Sequence, residues 1–226
     1  MKTLVQRLET LLTVSPMSDF DRQTFSSALE LARAEAYRVS RETEKEENLK
    51  GARKQALAQM SSISGMVAAL ECDYDRLQEL RDERESLQSD ITGAETEEEV
   101  NAANSAIIEW QSENAAELEE LETAAGDCEN EDEARERIQE DPLDISVRSD
   151  WQNIGETLTP SEFTILLCTG GPAVRIVGEL DQHNEPSMAW IEYQDWYTPW
   201  AELADGVSHS DLLTYCQQFY FGEYSK

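Results

Sequence analysis

Apolar residues recur every three or four positions over most of the chain and switch to alternation only toward its C-terminal end. Leu4, Val5, Leu8, Leu11 and Leu12 share one face of a helix predicted over Lys2–Thr13. Ser15-Pro16 ends it, because proline disfavours the helical conformation in its predecessor. Ser18 or Asp19 can cap a second helix, whose stripe runs through Phe25, Leu29, Ala32, Ala36 and Val39. Between Ser40 and Lys54 only Leu49 and Ala52 remain of that stripe. This part reads as a solvated helix or as a fraying point, with Gly51 its weakest position.

Met60, Ile63, Val67, Leu70, Tyr74 and Leu77 then form an a/d series, resumed after a shift by Leu80, Leu87 and Ile91. That is a coiled-coil seam with a discontinuity. Gly93 breaks it, and Thr96 followed by Glu99 has the spacing of a capping box, so a new helix is expected from about Glu97. Ile107, Gln111, Asn114, Leu118, Leu121 and Ala125 form its seam, flanked by Trp110, with Gly126 at its C-terminus. Two long amphipathic helices with a short connection predict an antiparallel hairpin, and the same seam would also serve a homodimer. Asn130–Gln139 is read as one further helix, stopped by Asp141-Pro142.

The pattern changes after about Val147. Glu162–Cys168 reads as a buried strand, Gly170-Gly171-Pro172 as a turn, Ala173–Leu180 as its partner, and Gln182–Ser187 as a second turn. Met188–Asp195 is a third strand, with Ala189, Ile191 and Tyr193 on one face and Trp190, Glu192 and Gln194 on the other. An aromatic loop, Trp196-Tyr197-Thr198-Pro199-Trp200, precedes a closing helix over Asp211–Tyr220. The expected fold is therefore mainly α, with N-terminal helices and a long coiled-coil-like hairpin, plus a small α+β module of a three-stranded antiparallel sheet and one helix. The expected division is 1–147 for the helical region and 148–226 for the module.

Charge alters this picture more than composition does. The 226 residues carry a net charge of −30, and Ala94–Val147 alone holds nineteen Asp and Glu against Arg135 and Arg137. More than half of the charge thus sits in less than a quarter of the chain. Residues 1–56 are close to neutral, with ten basic and nine acidic side chains, so basic and acidic halves can pack within the molecule or across a dimer. The acidity argues against direct binding to nucleic acid or to an anionic membrane, and favours basic surfaces such as those of nucleic-acid-binding proteins. Glu95–Ala125 contains ten Glu and no basic residue. As a helix it spans roughly 45 Å, one charge per ~4.5 Å, against ~3.4 Å per phosphate of a DNA strand. Glu109, Glu113, Glu117, Glu119, Glu120 and Glu122 are the candidate partner-binding face. The plainer alternative is the solvated side of a coiled coil, although such a face usually mixes signs.

Trp190, Trp196, Tyr197 and Trp200 are the second candidate, either the core of a small domain or an exposed protein-binding patch. Catalytic signals are thin. Gly170-Gly171-Pro172 lacks the phosphate-loop pattern; Asp181 with His183, and Ser208-His209-Ser210-Asp211, have no Cys or second His at ligand spacing, and the two serines read as helix caps. No catalytic residue, cofactor site or metal site is assigned. Cys72, Cys128, Cys168 and Cys216 form no CxxC pair and, without a signal peptide or membrane-spanning run, are read as the reduced thiols of a cytoplasmic protein.

Several strings in the last third are distinctive: Arg148-Ser149-Asp150-Trp151, the run Ile165–Ile176, Gly178-Glu179-Leu180, Glu192–Trp196, Thr198-Pro199-Trp200 and Phe219–Gly222. Over Asp132–Gly222 the chain resembles a family of small acidic proteins found on proteobacterial phages and mobile elements. The resemblance implies a bacterial host and a setting in which small acidic proteins act against host defence, as anti-CRISPR and antirestriction proteins do. It transfers no activity and no functional residue. Two functions are expected from all this. One is a non-enzymatic inhibitor that occupies the basic nucleic-acid-binding surface of a host protein, as a mimic of DNA. The other is a dimeric coiled-coil adaptor that docks partners through its aromatic loop.

Overall fold

The computed structural model describes residues 19–155, 158–196 and 198–222. The helix expected over Lys2–Thr13, and Tyr197 of the aromatic loop, lie outside them. Helix α1 runs unbroken over Asp19–Leu70, 52 residues or roughly 78 Å at ~1.5 Å per residue. The stretch around Gly51 therefore continues the helix and is not a break, and its two apolar residues, Leu49 and Ala52, meet the core. Its largely exposed first half is laced by local pairs, such as Arg38 with Glu35 and Glu42 at 2.7 Å each. Continuous burial sets in at Ala52 and runs through Ala56, Met60, Ile63, Met66 and Val67, one face at helical spacing.

The a/d series is not one seam. Helix α1 stops at Leu70, and helix α2 (Tyr74–Gly93) starts afresh at Asp73, whose side chain accepts the Arg76 amide. Met60, Ile63 and Val67 face a sheet, whereas Leu77 and Leu80 face helix α3 (Glu97–Ala125). Tyr74 sits at the joint and donates its hydroxyl to the Ala69 carbonyl at 2.9 Å. Burial there pushes the phenol up to about 12. Helix α3 opens with the expected capping box, Thr96 accepting the Glu99 amide while the Glu99 carboxylate accepts the Thr96 amide. Gly126 closes it at φ 57°, a conformation glycine adopts without the Cβ penalty. Helix α4 (Glu131–Glu140) is capped by Asn130. Ala69, Cys128 and Ala134, all small, let α1, the α3–α4 turn and α4 meet closely.

The sheet has five antiparallel strands, not three, in the order β1 (Asp144–Ser149), β2 (Pro160–Cys168), β3 (Ala173–Leu180), β4 (Pro186–Gln194) and β5 (Ala201–Glu202). The two added strands are both edges: β1 has only Ile145 and Val147 as apolar alternation, and β5 is two residues long. Phe163, Ile165, Leu167, Val174, Ile176, Ile191 and Tyr193 fill the covered face, against α1 and helix α5 (His209–Cys216). Helix α5 is shorter than expected. Beyond it the chain turns, so that Phe221 is buried on Phe163 with ring centroids 4.5 Å apart. Gly178 stands opposite Phe163, and a Cβ there would fall 2.2 Å from the Phe163 ring. The ring needs that space.

One core joins the long helix to the sheet, since Ala52–Val67 of α1, Ile138 of α4 and the inner strand residues form a single buried cluster. Two polar bonds reinforce it: Ser64 Oγ to Asp211 Oδ2 at 2.6 Å, and Tyr215 Oη to Asp141 Oδ2 at 2.7 Å. The expected boundary between residues 147 and 148 falls inside β1.

Candidate binding surfaces on the acidic hairpin and the sheet

The hairpin of α2 and α3 is held by a narrow seam of Leu77, Leu80, Leu118 and Ala125, with Leu121 and Trp110 half-buried beside it. Gln111, expected in the seam, is exposed, and Asn114 only donates to the Trp110 carbonyl of its own helix. Polar register-setting across the seam is therefore absent at those two positions. Cross-helix polar bonds lie along the flanks instead. Arg76 grips Glu117 with two hydrogen bonds of 3.0 Å, Arg81 and Arg84 approach Glu122 at 3.6 and 3.5 Å, and the Trp110 indole donates to Glu83 at 2.8 Å. The Arg76 hydrogen bonds hold the Glu117 carboxyl below its ordinary value.

These pairs split the six predicted glutamates. Glu117 and Glu122 face the arginines of α2 and belong to the hairpin's own fastening. Glu109, Glu113, Glu119 and Glu120 are exposed and have no ion-pair partner among the described residues. At ~100° per residue Glu109, Glu113 and Glu120 lie within about 40° of each other, on the side of α3 away from the seam. Three arginines of α2 are spent on the inner flanks, so the outer face keeps one sign.

The predicted aromatic residues do not form one patch. Strands β2 to β4 turn their second face to solvent, and Trp190 lies half-buried there with its indole 3.4 Å from Glu192. On the same face Arg175 bonds Glu192 at 2.8 and 2.6 Å and stacks its guanidinium 4.1 Å over the Trp200 ring. Trp200 is thus pinned by a cation–π contact. Trp196 is 61% exposed and turned the other way, lining a cleft of about 380 Å³ with Arg41, Glu44, Lys45 and Asn48 of α1. The loop between them is tied by Thr198, whose hydroxyl accepts the Asp195 amide and donates to the Asp195 carbonyl.

His183 sits in the β3–β4 turn 3.1 Å from Gln182, and His209 is exposed at the start of α5. No group of three or more metal-binding side chains occurs among the described residues. All four cysteines are unpaired, and burial raises the Cys216 thiol. Sequence reasoning passed over a third surface, the outer edge of β1. Its signal was the short alternation Ile145, Val147 between polar neighbours. Ile145 and Val147 are exposed, beside a cleft of about 520 Å³ that includes Phe219 and Tyr220.

Among the described residues no helix is long and apolar enough to cross a membrane. In comparisons with known proteins, no family model, no curated protein and no solved structure matches this chain.

Proposed function

We propose that the protein is a non-enzymatic inhibitor acting in the cytoplasm of a bacterial host, where it occupies the basic nucleic-acid-binding surface of a host protein. The resemblance of Asp132–Gly222 to mobile-element proteins makes a defence system the favoured target, of the kind met by anti-CRISPR or antirestriction proteins. One observation carries the reading. The arginines of α2 are committed to Glu117 and Glu122, which leaves Glu109, Glu113, Glu119 and Glu120 as a one-signed outer face on a packed helix. A rigid row of carboxylates presents charge to a basic groove without the ordering cost that a floppy acidic tail would incur. It would also steer encounter with such a groove over long range.

The test is capture of partners from host lysate, followed by binding of the recovered partner at about 50 and about 200 mM salt. Basic nucleic-acid-binding proteins should be recovered, and affinity should fall at least about tenfold across that range. Joint replacement of Glu109, Glu113, Glu119 and Glu120 by Gln should weaken binding comparably. Indifference to salt and to those four changes, with loss on Trp196→Ala, would instead favour the adaptor reading. The exposure of Trp196 beside α1 is what keeps that second reading in view.

A further inference from the structure

The unpaired edge of β1 is self-complementary. Strand β1 pairs with β2 along one side, and nothing among the described residues pairs with the other. Natural edges of this kind are usually blunted by proline, lysine, a covering segment or extreme shortness. Strand β1 contains neither proline nor lysine and exposes Ile145 and Val147 at 39% and 47%; its one irregularity, between Arg148 and Ser149, lies past the five regular residues Asp144–Arg148. These two side chains share a face with Phe163 and Ile165 of β2, so the apolar layer of the sheet continues out to its rim.

We propose that two copies of this chain join edge to edge through β1, antiparallel and about a two-fold axis at Ser146. The sequence Asp144-Ile145-Ser146-Val147-Arg148 then pairs with itself. Ser146 meets Ser146, Ile145 meets Val147 twice, and Asp144 meets Arg148 twice. Either alternating set of amides can supply the ladder in this register. Opposite charges directly across an antiparallel pair stabilise it, and so do facing β-branched side chains. Any register shifted by two residues loses both charge pairs. The arrangement is isologous and therefore closes as a dimer without propagating. Arg148 already pairs with Glu162 of β2 and would bridge it to the second copy's Asp144 on the same face of the sheet. The strand is electrically neutral, which matters in a chain of net −30.

This inference stands apart from the proposed inhibition, because it uses a different surface and has the opposite salt response. Repulsion between two chains of −30 is screened by salt, so the dimer should gain population as salt rises, whereas binding to a basic partner should lose it. The decisive experiment is light scattering on the full chain and two charge variants at about 100 µM, where an interface with a Kd of ~10 µM is mostly occupied. The unaltered chain should run as a dimer. Asp144→Arg and Arg148→Asp should each be monomeric, since each sets like charges opposite one another. Mixing the two variants should restore a one-to-one dimer, because both cross-strand positions then again hold one carboxylate facing one guanidinium. Unchanged circular dichroism spectra of both charge variants are the control for folding. A monomeric parent at this concentration would overturn the proposal. So would a dimer that survives both single charge changes, which would place the contact on another surface.

Discussion

The hairpin and the sheet-bearing body are both built from amphipathic segments, yet they are held together differently. In the body, nineteen buried residues drawn mainly from three helices and three strands form one cluster, while the hairpin's cluster has four. A four-residue seam leaves most of each helix exposed, so cross-helix cohesion draws on Arg76, Arg81 and Arg84 as well. Exposed ion pairs of this type contribute little each, typically about 0–1 kcal/mol. The hairpin is accordingly the weaker element, and nearly all of its surface is available for display. The body has the reverse character. Its covered face is closed by α1 and α5.

The sharpest way to break this comparison is to excavate both cores. Ile63→Ala should cost about 3–5 kcal/mol, because the residue is wedged between α1 and the sheet with no freedom to collapse. Leu80→Ala should cost about 2–3 kcal/mol, since two helices joined only by a turn can close on the space. Denaturant titration with amide exchange on the same samples checks both. Exchange over residues 74–125 should accelerate in the second variant while β2 to β4 keep their protection. If both regions accelerate together, the hairpin and the body form one cooperative unit.

A smaller effect is expected at the tip. Thr96→Ala removes the side-chain half of the capping box and should cost about 1 kcal/mol. The change should appear in the exchange of the first turn of α3 and nowhere in the body. A uniform loss would mean that the tip is coupled to the rest through the whole length of both helices.

How far these elements were legible in the sequence depends on what specifies them. Local devices were readable: the Thr96–Glu99 box, Gly126 at the end of α3, a short helix between Asn130 and Gln139, and enough alternation to mark β3 and β4. The long a/d run was misleading, because helical periodicity shows which residues are inward but not which core they enter. Tyr74 completes that run in sequence, yet it lies past a break, on another helix. The edge strands β1 and β5 carry too few apolar positions to register against a charged background. Of the candidate site, the sequence showed the sign and density of charge on α3. It could not show that Glu117 and Glu122 are matched by arginines of the preceding helix, since the pairing exists only once the hairpin closes.

The smallest effect is in pH, and it separates the two regions by the groups responsible. In the hairpin Glu117 is held below its ordinary value by Arg76; in the body Asp211 is held down by the Ser64 hydroxyl. Both are carboxyls whose folded pKa lies below the unfolded one. Each therefore contributes stability that is fully present above the unfolded value, about 4, and lost as pH falls through the lowered folded value. Acidification from about pH 5 to about pH 2 should weaken both regions. Glu117→Gln should flatten the acid response of residues 74–125, followed by exchange rates corrected for their intrinsic pH dependence, and leave that of β2 to β4 in place. Asp211→Asn should do the opposite, flattening the body's response alone. An unchanged acid slope in the hairpin of the Glu117 variant would mean that its seam of four apolar residues suffices. In that case the arginines of α2 serve only to screen the inner flank of the acidic helix, and the division of its glutamates into fastening and displayed sets would lose its energetic basis.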